Sequence, residues 1–287
     1  IGELVTMTSS TLSIPGLRKP TKECQVEKVE TFKVNISGRK PVYNGIAILP
    51  KDRVMLVDQN NNKCILLNNS HQVVTQYKLT GNICDICVIG AEEVAVSVYD
   101  QNKIHILSVR DDVISPVRTI ATKYMCSGIA TAGKGEMVVH GYCGNNKYCW
   151  SLIRHGREVN YSDQYDSSFR WDNYIAMNNS KTRVYVTVPT TNSIYCFNMK
   201  GKKQYTYSPD NLKEPFGVAV DRDDNIYVVS SDSHNIIQLS PEGCLIQVIT
   251  TGVPQNPRAI CFNNSNDTFI ITSYSNESEN VHIFQLK

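Results

Sequence analysis

The chain has 287 residues, 41% hydrophobic and 20% charged, a balance that supports a buried core and excludes disorder by composition. Its 29 Lys and Arg against 27 Asp and Glu leave a formal charge of only +2, so bulk charge specifies no nucleic-acid partner. Apolar runs are short, as at 46–49, which excludes a membrane-spanning helix of about 20 residues.

Residues 1–23 carry Thr, Ser and Pro without periodicity and are expected to form a linker or N-terminal extension. No charged-then-apolar signal peptide opens the chain, and Ile1 stands where a Met would begin a full protein. The expectation is a cytoplasmic fragment of something longer, with no membrane contact.

From Cys24 onward the chain repeats itself. Six segments superpose on a first apolar strand anchored at Ile46, Ile86, Ile129, Ile175, Val218 and Ile260, with spacings of 40, 43, 46, 43 and 42. Second apolar runs follow at 54–57, 94–96, 137–139, 184–186, 226–229 and 269–271. Third runs follow at 64–66, 104–106, 148–150, 194–196, 236–238 and 281–283. Weaker fourth strands are visible at 73–77, 117–120 and 245–249.

The runs are rich in β-branched and aromatic residues and are divided by Asn, Asp, Gly and Ser, so they read as strands. A period of this size with four strands is that of a propeller blade. The last segment ends at Lys287 without a fourth strand, whereas residues 26–34 alternate polar with apolar and precede the first segment. The fold predicted is all-β: a six-bladed β-propeller over 24–287, closed by an N-terminal strand that completes the last blade. Closure removes the edge strands that an open array would expose.

The alignment also assigns cysteines. Cys87 and Cys261 stand where Ala47, Ala130, Ala176 and Ala219 stand elsewhere, and Cys64 and Cys196 occupy apolar strand slots. They read as reduced, buried apolar residues. Cys143 and Cys149, flanking a Gly-Asn-Asn turn, are the one pair placed to bridge. No metal site is expected from Cys84-x-x-Cys87, which lacks a second pair.

The fifth segment reads Pro215-Phe216-Gly217-Val218-Ala219-Val220-Asp221, then Asp224-Asn225-Ile226-Tyr227-Val228-Val229, then Asn235-Ile236-Ile237. This closely resembles an NHL repeat; the first segment matches more loosely through Pro41, Gly45-Ile46-Ala47 and Val57-Asp58. A six-bladed NHL-like ring behind a linker is similar to the C-terminal part of tripartite-motif proteins. The resemblance implies a non-catalytic recognition module of a ubiquitin ligase or scaffold, with a RING and an oligomerising coiled coil in a missing portion.

In a propeller, the loops before each first strand and between second and third strands gather around one end of the channel. There the sequence places cations among aromatic residues: Tyr43, Lys123, Tyr124, Arg170, Trp171, Tyr174, Phe216 and Arg258. Such a rim suits a protein partner, since Trp, Tyr and Arg dominate interface hot spots. It suits single-stranded RNA as the alternative, through phosphate neutralisation and base stacking. Acidic Asp58, Asp85, Asp100, Asp172, Glu214 and Asp232 on the same face weigh against RNA. A metal-dependent propeller hydrolase is the remote alternative. Its axial ligands would be Asn44, Asp85, Ser127 and Asn173, but Arg258 would repel a cation, and no elbow, phosphate loop or His–Asp pair is visible. The sequence reading therefore expects no enzyme activity, no metal and no cofactor.

Overall fold

A computed structural model describes residues 23–166, 173–265 and 267–287. The described residues form six antiparallel sheets arranged as a six-bladed propeller. Five sheets have four strands, and the third blade adds a short fifth, Tyr165–Asp166, beside Lys147–Arg154. The expected linker lies outside the described residues except for Glu23. No helix among the described residues is long and apolar enough to cross a membrane.

The strand Val26–Lys33 pairs with Asn280–Leu286, from Val26 opposite Leu286 to Lys33 opposite Asn280, so the N-terminal strand completes the last blade as predicted. Most of this strand is exposed, and its join to the ring is mainly a backbone ladder. Phe32 anchors it by packing against the core and stacking at 4.1 Å on His71 of the first blade.

The first strands of the blades line the channel: Tyr43–Leu49, Ile83–Gly90, Met125–Gly133, Ile175–Met177, Pro215–Val220 and Pro257–Phe262. Their junctions alternate around the ring. Blades one, three and five carry Gly45, Gly128 and Gly217 one residue before the anchoring Ile or Val. At each, a Cβ would lie 2.7–3.0 Å from backbone of the following blade, as from Gly217 to the Arg258 carbonyl at 2.7 Å. Blades two, four and six place Asp85, Tyr174 and Ala259 in that slot, and buried Ser97, Thr187 and Thr272 accept their amide protons at 3.0, 3.1 and 3.2 Å. Two of these hydroxyls also donate to the next blade, Ser97 to the Ser127 carbonyl at 2.6 Å and Thr272 to that of Tyr43 at 2.8 Å. Close backbone approach and hydroxyl bridges thus take turns in sealing the hub.

The core lies between blades. Trp150, Tyr185, Tyr227, Phe269 and Phe284 are completely buried there. The cysteines are unbridged, and Cys64, Cys87 and Cys196 are buried among apolar neighbours, as the alignment indicates. Burial pushes the Cys64 thiol up to about 12, so it is an inert core residue. Cys143 and Cys149 remain free thiols joined by a hydrogen bond that lowers the pKa of Cys143.

Candidate functional site

The channel mouth is a cavity of about 930 Å³ lined by Arg39, Tyr99, Glu214, Phe216, Arg258 and Tyr274 together with several Asn amides. Its walls come from blades one, two, five and six, so residues far apart in sequence meet only because the ring closes.

Arg258 is the centre of the arrangement. It opens the first strand of the sixth blade, is 93% buried, and its Nε donates to Asn44 Oδ1 at 3.1 Å. Its guanidinium lies 4.3 Å from the ring centre of Phe216 and 5.8 Å from that of Tyr274, both cation–π distances. Asn44 in turn donates to Gln59 Oε1 at 2.7 Å, and its carbonyl accepts the Tyr174 hydroxyl at 2.7 Å from the fourth blade. Tyr174 thus reaches across the channel, packs against Phe216 at 6.4 Å, and also lines the cavity beneath. The result is a cation held in one orientation, with little side-chain freedom left to lose when a ligand arrives.

Glu214 places a carboxylate-bearing residue on the same wall. Its backbone sits at φ 50°, a strained value for a non-glycine residue, and is held there by its amide donating to Asn192 Oδ1 at 2.8 Å. Its carbonyl accepts the Ser231 amide at 3.1 Å.

The rim expected from the sequence divides in three. Phe216 and Arg258 line the mouth, and Tyr174 supports them from below. Tyr43 and Tyr124 lie in the core instead of on a rim: Tyr43 is fully buried, and the Tyr124 hydroxyl is taken up by the Val139 carbonyl at 2.8 Å and Ser151 at 2.6 Å. Lys123 is an outer-surface residue, its ammonium 5.1 Å from the Tyr161 ring. Arg170 and Trp171 lie outside the described residues. Asp58 and Asp85, counted as top-face acids, are buried; Asp58 accepts from the Val42 amide and Asn61, pinning the loop before the first strand.

Sequence reasoning missed a buried relay in the third blade. His140 lies in the strand Glu136–Gly144; its Nδ1 is 3.2 Å from Ser127 Oγ and its Nε2 pairs with the Tyr165 hydroxyl. Complete burial pushes its pKa down to about 3, so it is neutral and poorly suited to take up a proton. His140 stands in the slot that Val57 and Val229 fill in other odd blades, and only the strand register reveals its partners.

An axial divalent cation does not fit these residues. Asn44 Oδ1 already accepts from Arg258, and the carboxylate of Asp85 accepts the Ile86 and Ile129 amides at 2.8 and 3.0 Å. A guanidinium occupies the mouth where the charge of a metal would be repelled. Among the described residues, no group of three His, Cys, Asp or Glu side chains could hold one.

Comparison with known proteins bears on what such a mouth does. A family model described as the SMP-30/gluconolactonase/LRE-like region matches residues 133–275, just under half of the chain. The sequence finds no significant match among curated proteins. Among solved structures, a virginiamycin B lyase from Staphylococcus aureus bound to quinupristin is similar with a TM-score of 0.63 at 14% identity, covering 92% of this chain and all of that one. A luciferin-regenerating enzyme gives 0.67 at 15% identity over 92% of this chain and 95% of its own. A streptogramin B lyase gives 0.66 at 14% over 90% and 98%. At these identities the structures show a shared fold.

The family match corrects the functional expectation. The match of residues 133–275 to a family model named for gluconolactonase overturns the reading of a non-catalytic tripartite-motif recognition module, with its RNA-binding alternative and its exclusion of enzyme activity. The NHL assignment narrows to the six-bladed propeller itself.

Proposed function

We propose that this chain is an enzyme of the SMP-30/gluconolactonase-like kind that opens a small cyclic ester in the channel mouth without a metal. The observation that carries the reading is Arg258, a buried guanidinium locked by Asn44 and Phe216 at the wall of a 930 Å³ cavity that also holds Glu214. The name of the matched family includes gluconolactonase, and lactones are the substrate class that name suggests.

Attack of water on a lactone carbonyl places negative charge on the carbonyl oxygen. A cation preorganised before the substrate arrives stabilises that charge without a reorganisation cost. Arg258 would supply it. Glu214 would accept the proton that water loses as its oxygen bonds to the carbonyl carbon, and would return one to the ring oxygen as the C–O bond breaks. Phe216 and Tyr274 would cover the apolar edge of the ring and thin the water around the guanidinium.

The test is proton release from a panel of aldono- and γ-lactones at constant pH. Arg258→Met should reduce kcat by roughly 10²–10³-fold, the loss seen when one oxyanion donor is removed, with the thermal transition preserved. Activity should persist in EDTA, because Asn44 Oδ1 and the Asp85 carboxylate already accept hydrogen bonds and Arg258 stands beside them. Turnover at the buffer rate on every lactone, or activity abolished by EDTA and restored by a divalent ion, would overturn the proposal.

A further inference from the structure

Below the mouth the channel continues as a second cavity of about 290 Å³. Its bore exists because each blade contributes a small residue at one level: Ala47, Cys87, Ala130, Ala176, Ala219 and Cys261. Apolar strand residues continue the wall below them, and the charged side chains lining the cavity are Asp85 and Lys181. These two lie at opposite ends. Asp85 lies near the start of its first strand, Ile83–Gly90, one residue before the anchoring Ile86, whereas Lys181 follows the end of Ile175–Met177 in the turn at the far side. About four strand residues separate their levels, roughly 13 Å at 3.3 Å per residue.

The two charges are not equivalent. The carboxylate of Asp85 is consumed by two backbone amides. Among the described residues the ammonium of Lys181 makes a single 3.4 Å hydrogen bond, to the Thr131 carbonyl of the neighbouring third blade, although an ammonium has three protons to donate. Among the described residues it has no carboxylate within ion-pair distance. Asp224, the nearest acid to influence it, already accepts the Asn179 amide at 2.7 Å and Asn179 Nδ2 at 2.9 Å. Partial burial makes the ammonium easier to deprotonate than an exposed lysine, which an incoming anion would reverse.

We propose that this lower bore is a binding site for a medium-chain monocarboxylate, its head paired with Lys181 and its apolar tail extending up the channel towards Asp85. An apolar tube with one under-paired cation at its open end selects for that chemistry: the wall rewards burial of a chain, and the cation accepts a single anionic head. At the upper end an anionic head entering in the reverse sense would find Asp85 and, among the described lining residues, no cation to pair with. This site is separate from the lactone site, because Tyr174 crosses the channel between them.

Octanoate, octanol and acetate are the probes, titrated calorimetrically against the folded chain. Octanoate should bind at least tenfold more tightly than octanol or acetate. Lys181→Met should abolish the preference for octanoate over octanol, Lys181→Arg should keep it, and Ala176→Phe should exclude both by filling the bore. Melting curves verify that each variant is folded. Octanoate and octanol binding alike to the unaltered chain would overturn the proposal, as would full octanoate binding by Lys181→Met. Arg258→Met should leave octanoate affinity unchanged and Lys181→Met should leave lactone turnover unchanged, so failure at one site is distinguishable from failure at the other.

Discussion

Asp85 shows how much one residue's surroundings decide. As a letter in the sequence it is an acid on a presumed binding face. In the ring it is 92% buried, it bridges two blades through the Ile129 amide, and burial lifts its carboxyl from 3.8 to about 7 against the opposing pull of those amides. Between those two values the folded chain holds a proton that the unfolded chain has lost. The stabilisation is therefore complete below about pH 4 and lost as pH rises through 7. Relative to Asp85→Asn, the unaltered protein should lose up to about 1.4 kcal/mol of stability per pH unit across that window, and the difference should level off above it. Denaturant melts from pH 4 to 9 measure it, and a difference constant with pH would contradict the assignment. His140 runs the other way: unfolded it takes up a proton near 6.5 but folded only near 3, so its contribution is present above 6.5 and lost as pH falls.

At the scale of the element, the first strands do two jobs, sealing the hub and presenting side chains to the channel. Gly217 is where the jobs meet, since a methyl there would strike the Arg258 carbonyl at 2.7 Å and the Ile260 amide at 2.8 Å. Gly217→Ala should cost about 1–3 kcal/mol as overpacking and displace Arg258, lowering lactone turnover. Gly90→Ala, whose Cβ meets only Glu93 at 3.7 Å, should cost far less. Equal melting temperatures for the two variants would show that the close approach is not needed. The blade repeat was legible in the sequence because three apolar runs per blade recur at fixed offsets. The fourth strands Arg157–Tyr161 and Lys203–Tyr207 were not, since edge strands bury little and carry polar letters. The rim was half legible. Tyr43 precedes an apolar run and reads as loop, yet the strand begins at Tyr43 and irregular pairing before Gly45 precedes the regular register.

For the whole molecule, function was the least legible property, and the reason is physical. The residues that resemble an NHL repeat are those that build a blade. Gly217 permits close approach to the next blade, and the Asp221 carboxylate accepts the amides of Asp223 and Asn225 at 2.9 Å to fold a turn. Such residues report construction, whereas the mouth is assembled from Arg39, Tyr99, Glu214, Arg258 and Tyr274, scattered over four blades with no local spacing to betray them. Closing the ring assembles the lactone site at its upper axis from residues of four blades. Hydrogen exchange with and without a saturating lactone tests this most directly. Protection should appear together in segments 39–44, 59–62, 214–216 and 256–258, and the outer strands Val73–Lys78 and Leu245–Ile249 should be unchanged. Protection confined to the outer strands, or none in the axial segments, would contradict it.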